Sequence, residues 1–88
     1  MSSGLDDIDH MIGRNIRFYR LLREFSQAKL AARIGMSYQQ LQKYERGINR
    51  ISANRLLQIA QALEVSVAQF FEPNAKLTQV NMHRVFND

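Results

Sequence analysis

Gly35 constrains the fold of this chain more than any other residue, because it lies between two short stretches that both have helical periodicity. Ser26 is a good N-cap for the first stretch, which carries Leu30, Ala31 and Ile34 on one side. Glycine adopts positive φ without steric cost, so it is the expected residue just past a helix end. The chain is therefore predicted to turn within about four residues and to begin a second helix.

Ser37 begins that second helix, and Gln40 follows three residues later in the Ser-x-x-Gln pattern of a capping box. Leu41 and Tyr44 recur on one face, and Gly47 is the expected end of the helix. The small side chain of Ala31 lets the two helices approach closely. These features together predict a helix-turn-helix unit; the residues also fit an ordinary αα-hairpin within a helical bundle.

The rest of the chain also predicts helices separated by tight turns, with no useful alternating strand pattern. A first helix is predicted from about Asp9 to Glu24, a fourth after Ser52 and a short fifth after Ser66, which Pro73 ends. The predicted fold is an all-α, compact five-helix bundle. Residues 1–8 are expected to form an N-terminal arm, 9–72 the domain, and 73–88 a C-terminal extension that could be a strand, an arm, a swapped dimer element or a tail.

Charge is concentrated in the middle of this 88-residue chain. From Arg14 to Arg55, ten Lys and Arg residues stand against Glu24 and Glu45, an excess of eight positive charges. Such a block is the expected footprint of a polyanionic partner, although a solvated basic surface has the same composition.

Several classes of function are disfavoured by what the sequence lacks. It has no Cys and only two His residues, near opposite ends, so no catalytic set, metal site or cofactor is predicted. The acidic residues around His10 fit solvated or helix-capping positions better than metal ligands. No apolar run approaches the roughly 18 to 20 residues of a membrane span, and no signal peptide is readable, so a cytoplasmic location is predicted.

Four segments in their order and spacing resemble the Cro and phage-repressor type (XRE-type) helix-turn-helix regulators of bacteria and phages. They are IGRNIRFYR, SQAKLAARIGMS, YQQLQKYERGINR and LLQIAQALEVSVAQFF, and they span roughly residues 12–71. The resemblance implies a lambda-repressor-like bundle of five helices, DNA binding through the second and third, and operator binding as a homodimer. Glu24 departs from the pattern, since many relatives carry glycine there.

The third helix is expected to lie in the major groove. Four of its residues share a face at helical spacing, opposite the apolar residues, and are the predicted base contacts: Tyr38, Gln39, Gln42 and Lys43. Gln39 can donate to and accept from adenine, Lys43 suits the two acceptors of guanine, and Tyr38 can meet a thymine methyl group or a phosphate.

Donors around this helix are predicted to contact phosphates. They are Gln27, Ser37, Arg46, Asn49, Arg50 and Asn54, with Arg14 and Arg17 as weaker candidates. The resemblance pairs Arg20 with Glu45 as a partly buried ion pair between the first and third helices, so neither is expected to touch a base.

The predicted function is sequence-specific binding of double-stranded DNA as a transcriptional regulator, a repressor, with a homodimer on an inverted-repeat operator. No membrane association and no small-molecule ligand are predicted. The alternative is a protein-interaction module, such as an antitoxin, built on the same fold. Phe18, Leu21 and Leu22 favour that alternative, because they lie off the apolar stripe of the first helix and are expected to need cover from the C-terminal segment or a second chain.

Overall fold

The structure, a computed structural model, describes residues 4–73. This part of the chain folds into four α-helices and one 3₁₀ helix, and it contains no strand. The bounds are α1 Gly4–Leu22, α2 Gln27–Arg33, α3 Tyr38–Glu45, α4 Ala53–Leu63 and the 3₁₀ helix Val67–Phe71. The predictions for most of the extension, residues 74–88, lie outside the described residues.

The all-α class is confirmed, but the count of five α-helices is wrong by one, because the fifth element is a 3₁₀ helix. Ser66 and Pro73 stand so close together that only five residues are helical between them. A segment of that length commonly takes i→i+3 hydrogen bonds, the 3₁₀ pattern.

Helix α1 also begins earlier than predicted, at Gly4 instead of near Asp9. No proline interrupts the intervening residues, and the carboxylate of Asp7 near a helix N-terminus is favourable to the helix dipole. Asp9 therefore lies in the second turn of α1 and does not cap it.

The core draws on every element, and α1 packs against α3, α4 and the 3₁₀ helix. Each large apolar side chain taken out of water stabilises the fold by about 1.5 to 3 kcal/mol. The buried apolar residues are Ile12, Ile16, Tyr19, Leu30, Ala31, Leu41, Leu56, Ile59, Ala60, Leu63 and Phe70.

Phe18 and Leu22 are half-buried and pack against this same core. The Phe18 ring lies edge-on to Tyr19, with 5.1 Å between ring centroids. Both residues therefore already contact the core of their own chain, and the prediction that the C-terminal segment covers them falls on residues outside the described part. Leu21 does remain 49% exposed.

Serine hydroxyls begin α2, α3 and α4 as predicted. They belong to Ser26, Ser37 and Ser52. Each hydroxyl accepts a hydrogen bond from the backbone N–H three residues later, at 3.0, 3.2 and 3.1 Å respectively. At the 3₁₀ helix the Gln69 side chain accepts from the backbone N–H of Ser66 at 2.9 Å, which is the Gln half of the predicted capping box.

All four α-helices end in the same way, with one residue in the left-handed region. Gly35 and Gly47 occupy this position after α2 and α3, at φ 71° and 73°. Glu24 and Glu64 occupy it after α1 and α4, at φ 59° and 60°. In each case the next N–H donates to the carbonyl five residues earlier, as in the Schellman motif; at Gly35 this is Met36 to Ala31, at 3.0 Å.

A buried Asn15, which the sequence did not single out, attaches the end of the domain to α1. Its Nδ2 donates to the carbonyl oxygens of Phe70 and Glu72, both at 2.8 Å. The Tyr19 hydroxyl donates to the Glu72 carboxylate at 3.3 Å, and Arg14 Nη2 donates to the Pro73 carbonyl at 3.2 Å. Three side chains of α1 therefore hold residues 70–73.

Candidate nucleic-acid interface

The predicted helix-turn-helix unit is present in residues 27–45. Four residues connect α2 to α3, and Leu41 and the half-buried Tyr44 turn toward the core. Ala31 is almost fully buried, as a close helix contact requires. A Cβ placed on Gly35 would meet no atom within 4 Å, so this position needs glycine for its positive φ and not for space.

The outer face of α3 carries the four predicted base contacts. Tyr38, Gln39, Gln42 and Lys43 are all exposed, whereas Leu41 and Glu45 are buried on the opposite face. Tyr38 is 49% exposed despite its large ring. The outer face therefore presents two amides, one ammonium group and one phenol, which together can donate to and accept from base edges.

The inner face of α3 is fixed by a buried ion pair. Arg20 of α1 donates to both carboxylate oxygens of Glu45, at 2.6 Å from Nε and 3.0 Å from Nη2. The side chains are 8% and 2% exposed, so the contact that the resemblance implied is present and well shielded from water. Arg20 Nη1 also donates to the Phe25 carbonyl at 2.7 Å, which ties the α1–α2 connection to the same network.

Gln27, at the first position of α2, joins this network. Its Nε2 donates to Glu45 Oε1 at 3.1 Å. A carboxylate only accepts hydrogen bonds, so the amide must turn its nitrogen toward Glu45, and one of its two Nε2 hydrogens is engaged there. The sequence indicated Gln27 as a phosphate contact but gave no sign of this bond, which joins residues 18 positions apart.

Gly13 is a second residue that the sequence analysis missed. A Cβ at this position would lie 2.7 Å from the Glu45 carbonyl oxygen and closer still to that of Tyr44. The backbone of α1 therefore rests directly on the C-terminal end of α3. The available signal was a glycine inside an amphipathic helical pattern, which often marks a close approach of two backbones.

The predicted phosphate contacts lie around α3 but in different environments. Gln27 and Ser37 are at the starts of α2 and α3, Arg46, Asn49 and Arg50 in the connection to α4, and Asn54 in the first turn of α4. Ser37, Arg46, Arg50 and Asn54 are exposed, whereas Gln27 and Asn49 are half-buried. Arg50 Nε is 3.5 Å from the Asp9 carboxylate, an ion pair that the sequence did not predict.

Two further arginines of the basic segment make structural contacts. Arg55 Nη1 donates to the Ile34 carbonyl at 3.1 Å and so ties the turn after α2 to α4. Arg23 Nε donates to the Leu63 carbonyl at 2.9 Å.

The basic segment keeps its net charge in the folded domain. The ion pair of Arg20 and Glu45 neutralises one positive and one negative charge, so the excess of eight positive charges from Arg14 to Arg55 is unchanged.

Two observations bear on other kinds of site. Among residues 7–73, whose side chains the structure describes, no three His, Cys, Asp or Glu residues are grouped as metal ligands would be. Within the described residues, no helix combines the length and the apolar character that a membrane crossing requires.

Two short helices at a glycine turn, with a polar face of the second one exposed, define a helix-turn-helix domain. A helix-turn-helix family model matches residues 16–70. The chain belongs to this family, that of the Cro/C1-type transcriptional regulators.

Its relatives include proteins named as regulators. An uncharacterized HTH-type transcriptional regulator of Sinorhizobium fredii is 49% identical over 82% of this chain and 50% of its own length. An uncharacterized transcriptional regulator in the ATPase CF(0) region of Rhodospirillum rubrum is 52% identical over 73% of this chain and 59% of its own. The chain thus spans between half and three fifths of the length of these two relatives.

The fold is also found in solved structures. The restriction-modification controller protein C.AhdI from Aeromonas hydrophila matches with a TM-score of 0.69 and 28% identity, over 74% of this chain and 97% of that protein.

Proposed function

We propose that this chain is a sequence-specific, double-stranded DNA-binding unit of a transcriptional repressor and that it inserts α3 into the major groove. The observation that carries the proposal is the contrast across α3, whose outer face is exposed and rich in hydrogen-bonding groups, while its inner face is held by α1. Membership of a family of transcriptional regulators supports the same function.

The contacts divide into two groups in this proposal. Tyr38, Gln39, Gln42 and Lys43 read base edges, with Gln39 suited to adenine and Lys43 to guanine. The donors around α3 hold the DNA backbone and set the register of α3 in the groove without reading sequence. This second group comprises Gln27, Ser37, Arg46, Asn49, Arg50 and Asn54.

A homodimer on an inverted repeat follows from the length of α3. Eight residues at about 1.5 Å each make a helix of roughly 12 Å, which reaches only a few base pairs. Two copies on one face of the duplex place their half-sites about 34 Å, or roughly 10 to 10.5 base pairs, apart. We assign dimer formation to the C-terminal extension that begins at Pro73.

Selection of bound duplexes from a random pool tests the function directly. We expect enrichment of an inverted repeat with that spacing and a complex that contains two chains. The matched control is the double variant Gln39→Ala/Lys43→Ala, which alters only exposed side chains of α3 and should enrich no site while keeping the helical circular dichroism spectrum. Failure of the wild-type chain to enrich any sequence would contradict the proposal.

A protein-interaction module is the second candidate, because Leu21 and Phe71 are 49% and 44% exposed. Heparin chromatography followed by band shifts on the selected site and on unrelated DNA separates the two candidates. An interaction module shows no preference between the two duplexes.

A further inference from the structure

Ile48 has the most exposed large apolar side chain among residues 7–73, at 59%. Single exposed apolar residues are common on protein surfaces, so the exposure alone assigns no role. Ile48 is distinguished by its place, because it lies in the connection that follows α3, between the proposed phosphate contacts Arg46 and Arg50. An apolar side chain is thus flanked along the chain by groups proposed to bind DNA.

The backbone places Ile48 beside the last turn of α3. Gly47 takes a φ of 73°, and the Ile48 N–H donates to the Lys43 carbonyl at 3.0 Å. In the Schellman motif, a residue at this position commonly packs against the side chain five positions earlier. Here that side chain belongs to Lys43, which is exposed on the outer face of α3. Ile48 therefore lies next to a residue proposed to read a base.

The turn that carries Ile48 is held against α1. A Cβ placed on Gly47 would be 2.9 Å from the Cα and the ring carbon Cγ of His10, so the two backbones are in close contact. The backbone of Ile48 is therefore held by its hydrogen bond to α3 on one side and by the packing of Gly47 on the other. A side chain presented in this way loses less freedom on binding than one on an unsupported loop.

We propose that Ile48 is a further specificity-determining residue, which contacts the methyl group of a thymine in the major groove, next to the base that Lys43 reads. The inference rests on the proposed function and deepens it. Thymine carries a methyl group on its major-groove edge, and an apolar side chain recognises that group by removing both surfaces from water. A phosphate group is charged and gives no such gain.

Deoxyuridine differs from thymidine by this methyl group alone, so a thymine-to-uracil scan of the site selected above tests the contact on the wild-type chain. We expect one symmetry-related pair of thymines at which uracil weakens binding about two- to five-fold in each half-site, roughly what the burial of one methyl group contributes. These thymines should lie within one base pair of the position at which Lys43→Ala flattens the base preference.

Ile48→Ala links the methyl group to the side chain. This variant should bind the thymine site at least as weakly as the wild type binds the uracil site, and it should no longer distinguish the two sites. Leu57→Ala is the matched control, because Leu57 is a similarly exposed apolar residue, at 47%, on α4 and outside the proposed contacts. It should keep the wild-type penalty for uracil. Thermal melting by circular dichroism verifies that both variants are folded.

Three results would overturn the inference. The first is a site that has no uracil-sensitive thymine near the position read by Lys43. The second is a uracil penalty that persists in Ile48→Ala, which would assign the methyl group to another side chain, such as that of Tyr38. The third is a loss in Ile48→Ala that is equal on the thymine, uracil and scrambled sites, which would mean that Ile48 packs against the DNA backbone or another protein chain.

The scan also separates this inference from the proposed function. If the random pool enriches no site, the proposed function fails and the inference falls with it. An enriched site that tolerates uracil at every thymine contradicts the inference alone.

Discussion

The inner and outer faces of α3 differ in what fixes their side chains. On the inner face, Glu45 receives three hydrogen bonds from Arg20 and Gln27, and the carbonyls of Tyr44 and Glu45 lie against Gly13. On the outer face, the four predicted base contacts extend into solvent. Substitutions on the inner face should therefore change folding stability, and substitutions on the outer face should change binding alone.

The largest effect is expected from Glu45→Gln. The substitution keeps the shape of the side chain but leaves the Arg20 guanidinium buried without a counter-charge, which costs about 3 kcal/mol or more of unfolding free energy. Urea denaturation measures this loss. The double variant Arg20→Met/Glu45→Leu is the control: replacing both charges with apolar groups should restore most of the stability. Equal stability of Glu45→Gln and the wild type would show that the inner face does not depend on the ion pair.

Gly13→Ala should follow, with a loss of about 1 to 3 kcal/mol, because the new methyl group meets two carbonyl oxygens that cannot rotate away. Since α3 must then move relative to α1, DNA affinity should fall as well. Gly35→Ala is the matched control, because its methyl group enters open space and only the positive φ is disfavoured, at about 1 to 2 kcal/mol. If Gly35→Ala destabilises the fold more than Gly13→Ala, the close approach of α1 and α3 is not the limiting contact.

Outer-face variants should leave the urea midpoint unchanged. Gln39→Ala and Lys43→Ala are each expected to lose about 1 to 3 kcal/mol of binding at one operator position and to flatten the base preference there. Arg50→Ala should instead weaken binding to all sequences alike and reduce the salt slope by about one. Binding titrations on single-base variants of the selected site distinguish these patterns. A change of base preference in Arg50→Ala but not in Gln39→Ala would contradict the docking of α3.

The smallest effect is expected at Glu24, which lies at the end of α1 and on neither face of α3. A substitution there tests backbone strain alone and gives a reference for the changes on the two faces of α3. Glu24→Gly should stabilise the fold by about 0.5 to 1 kcal/mol, because glycine takes the left-handed conformation at the end of α1 without steric cost. Glu24→Ala should give no such gain, since alanine retains a Cβ. Thermal melting of the two variants measures the difference, and equal melting temperatures would rule out backbone strain at this position.

Sequence reasoning succeeded where the cause is local. Ser26, Ser37 and Ser52 act on N–H groups three residues away, so their pattern alone predicted three helix starts. The helical period likewise predicted which side of α3 is exposed. The start of α1 was missed because residues 4–9 contain several residues that favour a helix N-terminus, Gly4 and three aspartates, so the sequence does not single out one start.

What sequence reasoning missed depends on contacts between distant residues. Gly13 matters only because α3 crosses α1 at that point, and Asn15 only because residues 70–72 return to α1. The bonds from Gln27 to Glu45 and from Arg50 to Asp9 also join separate elements. No local pattern encodes these approaches, since they result from the packing of whole helices.

The attachment of residues 70–73 to α1 has a mechanical consequence. Asn15 and Arg14 hold the Phe70, Glu72 and Pro73 carbonyls, and Gly13, the neighbouring residue, bears on α3. A force on the chain beyond Pro73 therefore acts on α1 at Arg14 and Asn15, less than one helical turn from Gly13, where α1 packs against α3. The position of the chain at residues 70–73 is therefore fixed relative to α3 through α1.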